Sequence, residues 1–388
     1  TPLSGLCNNV HTPKFCPNQQ EYLILKLNRT KMSAFAQQPT LKTKTHFEIL
    51  DGLRGIAALG VVVFHFIEMY TPHPKDLIAH AYLAVDFFFC LSGFVVAYAY
   101  DDRLPQMGLK TFFKSRLVRL HPLVVLGSIL GFLAFIFDPF GNQWEAYSGW
   151  KLVVLFLASI LMIPYPVISE RAFNNFGLNA PAWTLFWEYV ANIAYALVLH
   201  RLKRIWLLLL AVLAAIGLFY VANSAGNISG GWSKDNFWHG GARVAFSFLA
   251  GMCIFRYQLI IKNGLGFPLL ALLLAASFFV PFRDEWNLIT EPLMIVVYFP
   301  LLVSLGAGAT LNPTHQGVCR FSGQISYPLY ITHYFVLWSF GNYYGQAQPS
   351  TQTLTWVIPS LIAMQLVVAY LAMKFYDLPI RKWLSPKK

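Results

Sequence analysis

The sequence predicts an all-α integral membrane protein, a bundle of about ten transmembrane helices with a re-entrant segment near residues 150–166. Composition is the first reason: 56% of the 388 residues are hydrophobic and 12% are charged, against roughly 25% charged residues in a soluble domain. The second reason is a series of long apolar runs, and the third is the presence of basic residues in the short connections between those runs. The net charge of +12 therefore fits topology-setting charge beside anionic lipid, and no nucleic-acid partner is expected.

The apolar runs of spanning length give the predicted elements in chain order. They begin near Gly52, Ala81, Leu117, Ala182, Ile205, Phe237, Leu265, Leu288, Gln324 and Leu354. An eleventh, weaker run covers about 16 residues from Trp150, and it ends in two prolines, Pro164 and Pro166, which interrupt a helix.

Positive charge decides whether the weaker run crosses the membrane. If it did, the basic loop from His200 to Arg204 would lie outside, against the positive-inside rule. If it re-enters, that loop lies inside. With ten crossings and both termini inside, 22 of the 29 Lys and Arg residues lie in inner segments and 5 in outer segments. We therefore expect a multi-pass protein whose N and C termini are cytoplasmic.

The predicted domain organisation is simple, because no connection is long enough to form a separate soluble domain. We expect one membrane domain at residues 46–384 and a C-terminal tail at 385–388. Residues 1–45 form an N-terminal cytoplasmic segment, either disordered or a non-native extension, because Met32-Ser33-Ala34 looks like a natural start. The five cysteines are scattered without a C-x-x-C pair, so neither a disulfide framework nor a metal site is expected.

The strongest candidate for chemistry is a pair in the first apolar run, LDGLRGIAALGVVVFHFIEMY, which contains Arg54 and His65. Eleven residues make about three helical turns, so both side chains lie on one face, with His65 roughly 16 Å deeper. Ionisable groups at such depth are costly and normally face a protein interior or a water-filled cavity. Imidazole also suits proton transfer near neutral pH.

Other predicted spans also carry ionisable residues, each with a structural alternative. They are Glu68, Asp86, Glu188, Arg243 and His333. Asp86 either serves the site or pairs with a neighbouring helix, and Arg243 is a possible counter-charge. Glu188 is either a site residue or an interfacial one beside tryptophans. His333 is either catalytic or a hydrogen-bonded core histidine, and Glu68 lies near the outer end of its span.

Two arginines three residues apart, Arg116 and Arg119, lie in the predicted inner loop DDRLPQMGLKTFFKSRLVRLHP. If this segment is helical, they face the same way. Paired guanidinium groups suit phosphate through forked, charge-assisted hydrogen bonds. Ordinary positive-inside charge is the alternative.

Taken together, these segments resemble the acyltransferase-3 family of multi-pass membrane O-acyltransferases, from about Phe47 to Lys382. Five phrases in order carry the resemblance, and one alone would be weak. They are LDGLRGIAALGVVVFH with Arg54 and His65; VDFFFCLSGFV from Val85 to Val95 with Asp86, Ser92 and Gly93; R-x-x-R with Arg116, Arg119 and Pro122; W-x-x-x-x-E with Trp183 and Glu188; and S-Y-x-x-Y-x-x-H with Ser326, Tyr327, Tyr330 and His333. Relatives often have serine where this chain has TLFWE, which puts the environment of Glu188 in doubt.

The resemblance implies an enzyme that moves an acyl group, usually acetyl from cytoplasmic acetyl-CoA, to a hydroxyl of a carbohydrate or lipid-linked glycan acceptor. It implies a stand-alone membrane domain in a bacterial inner or plasma membrane. Arg116 and Arg119 would bind the donor phosphates, and His65 would act as general base. Arg54 would hold the donor or stabilise developing negative charge.

The remaining roles carried by the resemblance are less defined. Asp86 or Glu188 would orient the histidine, and Trp183, Tyr330 and His333 would contact substrate. An acyl-histidine intermediate is the rival mechanism.

A transporter or flippase of a lipid-linked or exported glycan is the alternative function. A scaffold in which the membrane charges are merely paired is the third hypothesis. The acceptor, the acyl chain length and the oligomeric state are not encoded in these motifs.

Overall fold

The computed structural model describes residues 46–71 and 77–385, and these form helices joined by short connections, without a β-strand. The all-α prediction is confirmed for this part of the chain. The proposed N-terminal segment 1–45 and most of the C-terminal tail lie outside the described residues. The helices are α1 Glu48–Glu68, α2 Ala84–Tyr100, α3 Leu104–Ile136, α4 Gly149–Leu161, α5 Ala182–Leu197, α6 Arg204–Ala225, α7 Phe237–Arg256, α8 Gly266–Phe278, α9 Asp284–Leu293, α10 Phe299–Gly308, α11 Pro313–Thr332, α12 Tyr334–Ala347, α13 Thr351–Leu371 and α14 Leu378–Leu384.

Two of the long helical stretches contain a π-helical turn next to proline. Residues Met294–Tyr298 join α9 to α10 between Pro292 and Pro300, and Ala372–Asp377 join α13 to α14 just before Pro379. Proline lacks the N–H that would continue the α-helical ladder, so the chain widens locally while remaining helical.

Six helical stretches in the described residues are long and apolar enough to cross a membrane. They are Glu48–Glu68, Ala81–Tyr100, Leu104–Ile136, Arg204–Ala225, Asp284–Gly308 and Thr351–Leu384. Large apolar side chains also remain exposed on them; on α6 these include Trp206, Leu213 and Tyr220. Such surfaces need lipid rather than water around them, so the chain is an integral membrane protein. The number of about ten crossings stays a prediction.

Small residues bring the central helices together. A Cβ at Gly55 of α1 would overlap Ser322 of α11, and a Cβ at Gly93 of α2 would overlap the Phe248 backbone of α7. Close backbone approach at small residues is typical of helix packing in membranes. It fixes α1 lengthwise against α11, and this contact positions the candidate site.

Contacts between connections define two ends of the bundle: the near end, where α1 begins, and the far end, where α1 finishes. At the near end, Arg256 bonds to Asp101 and to the carbonyl of Leu202. At the far end, Asn342 of α12 donates to Asp138, and Asn174 forms a β-bridge with Ser233. The two ends supply the frame for the site.

Candidate functional site

One face of α1 carries both Arg54 and His65 toward α11 and its continuation, as the spacing predicts. Arg54 donates from Nε to Ser326 Oγ at 2.9 Å and from Nη2 to the Gly323 carbonyl at 2.6 Å. It also forms an ion pair with Asp51 at 3.1 Å. Arg54 is therefore held at the near end, by the same helix that carries the S-Y-x-x-Y-x-x-H phrase.

The segment containing Arg116 and Arg119 is helical rather than a loop. α3 begins at Leu104, not near Leu117 as the apolar run suggests, although Gly108 has a positive φ of 75° that kinks it. Hydropathy detects only the apolar part of a helix, so it missed the basic first turns. The two arginines therefore lie on one helix within a turn of each other.

Glu188 accepts hydrogen bonds from α3 and from α2. Arg116 donates from Nη2 to Glu188 Oε1 at 2.8 Å, and Ser92 Oγ donates to the same oxygen at 3.1 Å. The Nε of Arg116 is buried without a hydrogen-bond partner among the described residues. The pair is therefore joined through one corner of the guanidinium, with another donor unused.

Arg119 is the surplus charge of the cluster. It interacts electrostatically with three other arginines, Arg54, Arg116 and Arg381, and with one carboxylate, Glu188. Arg54 and Arg116 have carboxylate partners, and Arg381 pairs with Asp377 through Nε at 2.8 Å. Arg119 forms no ion pair within the described residues and keeps accessible surface. Such a group fits an anion.

His65 lies further along α1, among aromatic rings. Its Nδ1 is 3.1 Å from Glu68 Oε2 and 3.4 Å from the Tyr334 hydroxyl, and its ring stacks on that of His333 at 5.6 Å between centroids. A carboxylate accepts, so Nδ1 carries the proton and Nε2 presents a lone pair. The carboxylate that orients His65 is Glu68, which the sequence analysis placed only at a span end.

Asp86 is held elsewhere, in a closed ion pair. Arg243 donates from Nη2 to Asp86 Oδ2 at 2.7 Å, and its other donors go to the Gly230 and Tyr82 carbonyls at 3.0 and 3.2 Å. Both side chains are almost fully buried, at 1% and 0% exposure. Of the two readings of Asp86, the structure therefore favours pairing with a neighbouring helix over orienting the histidine.

The three predicted substrate contacts divide between these regions. Trp183 lies under Arg243, whose guanidinium carbon is 5.2 Å from the ring centroid. The Tyr330 hydroxyl is 3.1 Å from Thr184 Oγ1, and its ring is 6.0 Å from that of His333. His333 is thus a neighbour of His65 and Tyr330 is a neighbour of His333, whereas Trp183 packs on Arg243 of the closed pair.

Several residues near the site escaped the sequence analysis. Arg381 was counted only as inner positive charge, and Tyr334 directly follows a quoted phrase without belonging to it. Arg171 and Trp338, described below, lie in segments with no motif. These residues are far apart in the sequence and approach the site only in the folded protein. For Arg381, the one signal in the sequence was the basic character of residues 374–388. Among the described residues, no group of three or more His, Cys, Asp and Glu side chains forms a cation site.

Together, these features define a class of protein. Within the described residues, a membrane helix bundle places an accessible guanidinium without an ion pair, Arg119, near Arg54 at the start of α1, and the imidazole of His65 further along that helix. This arrangement is typical of a multi-pass membrane enzyme with an anionic ligand rather than of a scaffold with only paired charges.

The chain belongs to the acyltransferase family described as "Acyltransferase domain", whose model matches residues 47–374. It is 36% identical over 159 residues to "Protein 2 in picA locus" of Rhizobium radiobacter, covering 39% of this chain and 81% of that protein. It is 24% identical over 368 residues to "O-acetyltransferase OatA" of Staphylococcus aureus, covering 86% of this chain and 57% of that protein's length.

A third relative is "Acyltransferase MdmB" of Streptomyces mycarofaciens, 25% identical over 318 residues, covering 74% of this chain and 78% of that protein. No solved structure matches the chain significantly. The family resemblance inferred from the motifs is confirmed.

Proposed function

We propose that the protein is a membrane O-acetyltransferase that moves acetyl from cytoplasmic acetyl-CoA to a hydroxyl of a carbohydrate or lipid-linked glycan. The observation that carries the proposal is the accessible Arg119, which forms no ion pair within the described residues and interacts electrostatically with Arg54 of α1, the helix that also carries His65. One relative, OatA of Staphylococcus aureus, is named an O-acetyltransferase, which supports an acetyl group as the group transferred and a hydroxyl as the acceptor.

The arginine cluster, defined as Arg54, Arg116, Arg119 and Arg381, binds the phosphates of the donor. Within the described residues, Arg119 forms no ion pair and the Nε of Arg116 has no hydrogen-bond partner. Phosphate accepts forked, charge-assisted hydrogen bonds from guanidinium groups. Glu188 and Asp377 keep their partner arginines oriented, so that the cluster attracts an anion without collapsing onto a carboxylate.

His65 is the general base of the reaction. Its Nε2 removes the proton from the acceptor hydroxyl while the hydroxyl oxygen attacks the thioester carbon. The tetrahedral intermediate then expels the CoA sulfur as the thioester bond breaks, and the imidazolium returns the proton to that sulfur. Glu68 holds Nδ1 and stabilises the transient imidazolium. Arg54 lies roughly 16 Å from His65 along α1, which suits donor binding rather than contact with the oxyanion.

The topology follows from the same assignment. We propose ten crossings, with residues 150–166 re-entrant, the near end cytoplasmic and the membrane that of a bacterial cell. Two contacts support this. Tyr147, just before α4, donates to Glu170 at 2.8 Å, and Ser159 of α4 donates to Ser128 of α3 at 2.8 Å. Both contacts support a segment that enters beside α3 and returns toward the end from which it came.

Binding of two donors by purified protein tests the proposal. Acetyl-CoA carries the nucleotide phosphates and acetyl-pantetheine lacks them. Arg119→Ala is expected to weaken acetyl-CoA binding at least about tenfold, the loss of one charge-assisted contact, while acetyl-pantetheine binding changes little.

The matched control is Arg320→Ala, since Arg320 is a near-end arginine that is 58% exposed and pairs with Glu48. It should bind both donors as wild type does. Equal acetyl-CoA affinity in Arg119→Ala and wild type would remove the phosphate assignment. Wild type that neither binds nor consumes acetyl-CoA in the presence of acceptor would favour the transporter alternative.

A further inference from the structure

A second cation, Arg171, lies buried at the far end without a carboxylate partner. It follows α4 and lies outside the helices of spanning length, and it is only 2% exposed. Its Nη1 donates to the Gly177 carbonyl at 2.6 Å, while its Nε has no partner. Within the described residues it forms no ion pair, and Asp138 and Glu170 act on it only at longer range.

Aromatic rings enclose this guanidinium. Its central carbon is 4.6 Å from the ring centroid of Phe135 and 4.9 Å from that of Trp338. Cation–π contacts offset part of the burial cost, and burial still lowers the pKa of Arg171 to about 9. The side chain therefore remains charged at neutral pH. The cost of an unpaired buried cation falls when an anion joins it.

Aromatic rings form a continuous path from Arg171 to His65, the proposed base. Trp338 lies 5.6 Å from Tyr334 between ring centroids, and Tyr334 lies 5.1 Å from His65. Two further buried polar atoms along this path have no partner: Nε1 of Trp338 and Nε2 of His333. We call Arg171, Trp338, Tyr334 and His333 the far-end path.

The unpartnered atoms suggest the chemistry of a ligand. His333 donates from Nδ1 to the Tyr330 carbonyl at 2.7 Å, so its Nε2 is an acceptor, whereas Trp338 Nε1 is a donor. A sugar hydroxyl can satisfy either, and aromatic faces suit the apolar face of a sugar ring. The unpaired guanidinium adds a requirement for a carboxylate or phosphate.

We propose that the far-end path is the acceptor subsite and that it selects an anionic carbohydrate, with Arg171 binding its carboxylate or phosphate and a hydroxyl presented to His65. This rests on the proposed function, because His65 must be the base. It adds the acceptor class and a residue that determines specificity. Donor and acceptor then approach His65 from opposite ends, so neither has to leave before the other enters.

Binding of three small probes to the full-length protein in detergent tests the charge requirement. Methyl glucuronide and methyl glucoside differ by a carboxylate, and glucose 6-phosphate replaces that carboxylate with phosphate. Wild type is expected to bind one of the two anionic probes at least tenfold more tightly than methyl glucoside, as measured by titration calorimetry. The preferred anion identifies the group that Arg171 binds.

Variants of Arg171 distinguish the loss of anion binding from a folding defect. Arg171→Gln should bring the anionic probe to within about twofold of methyl glucoside, and Arg171→Lys, which keeps a charge but not the planar fork, should retain part of the preference. Arg283→Gln, at an exposed far-end arginine, should keep all of it.

Two results would overturn the proposal: no preference for either anion in wild type, including no binding of any probe, or an equal preference in wild type and Arg171→Gln. Acetyl-CoA binding is measured on the same samples. If that binding is normal, only the acceptor subsite fails; if it is absent, the proposed function fails as well.

Discussion

Two ion pairs in this protein, Asp86–Arg243 and Glu188–Arg116, look alike in sequence and differ in what surrounds them. The side chains of Asp86 and Arg243 are 0% and 1% exposed, and the Arg243 guanidinium also donates hydrogen bonds to two carbonyl oxygens. Glu188 and Arg116 keep 18% and 8% exposure, and the surplus charge of Arg119 acts on them.

The comparison shows how to separate a structural charge from a functional one in a membrane interior. A neutral, fully bonded pair has nothing left to offer a ligand, and its loss strands a charge in a low-dielectric interior. An accessible cation in excess of its carboxylates is costly by itself and becomes favourable when an anion binds. We therefore propose that the first pair serves stability and that Arg119, beside the second pair, serves ligand binding.

The largest expected effect concerns His65, which belongs to the accessible site and not to the buried Asp86–Arg243 pair. His65→Ala should lower acetyl transfer by about 10²–10⁴-fold, the usual contribution of a general base, because the variant lacks the imidazole that Glu68 contacts through Nδ1. Transfer to acceptor is measured beside thermal unfolding in detergent, and the variant should unfold near the wild-type temperature. Normal transfer in a folded His65→Ala protein would remove the base assignment.

The next largest effect concerns the stability of the buried Asp86–Arg243 ion pair. Asp86→Ala leaves Arg243 buried and without this ion pair, which should cost about 3–5 kcal/mol of stability. Arg119→Ala should cost little, because Arg119 forms no ion pair in the part of the chain that the structure describes. Thermal or denaturant unfolding of the two variants in the same detergent measures the difference. If Arg119→Ala proved as destabilising as Asp86→Ala, the distinction between closed and open charges would be wrong.

The smallest effect concerns pH. His80 lies in the turn before α2, outside the helices of spanning length, with Nδ1 donating to the Val280 carbonyl at 2.8 Å and Nε2 3.5 Å from Glu291 Oε1. Burial lowers the pKa of His80, yet Glu291 and the Val280 carbonyl outweigh burial and raise that pKa above its ordinary value.

The raised pKa of His80 means that the folded protein binds this proton more tightly than the unfolded chain does. The stabilisation is therefore fully present below about pH 6.5, the ordinary histidine value, and is lost as pH rises through the folded pKa. Unfolding temperature should fall modestly over that range in wild type. In His80→Gln this step should disappear, and an unchanged step would assign it to another group.

The fold could be predicted from sequence in outline because hydropathy and charge are local. The first run gave α1 and the common face of Arg54 and His65, since helical periodicity alone sets that face. The basic first turns of α3 lie before the apolar run at Leu117, because a basic helix has no hydropathy maximum. Asp86 illustrates the other limit, since a single carboxylate in an apolar run has the same pattern whether it pairs with Arg243 or orients a histidine.

The sequence by itself determined the membrane class, the first helix with its arginine and histidine, and the family, because each depends on residues near one another in the chain or on phrases in fixed order. Only the tertiary structure decided which charges are balanced. Glu188 on Arg116 and Arg381 beside Arg119 depend on contacts between side chains on different helices, and Arg171 has no ion pair within the described residues. The His65–Glu68 pair is different, because its residues are three apart on one helix and follow from the helical period. Charge balance between helices in an apolar interior is a property of packed neighbours, and no sequence period encodes it.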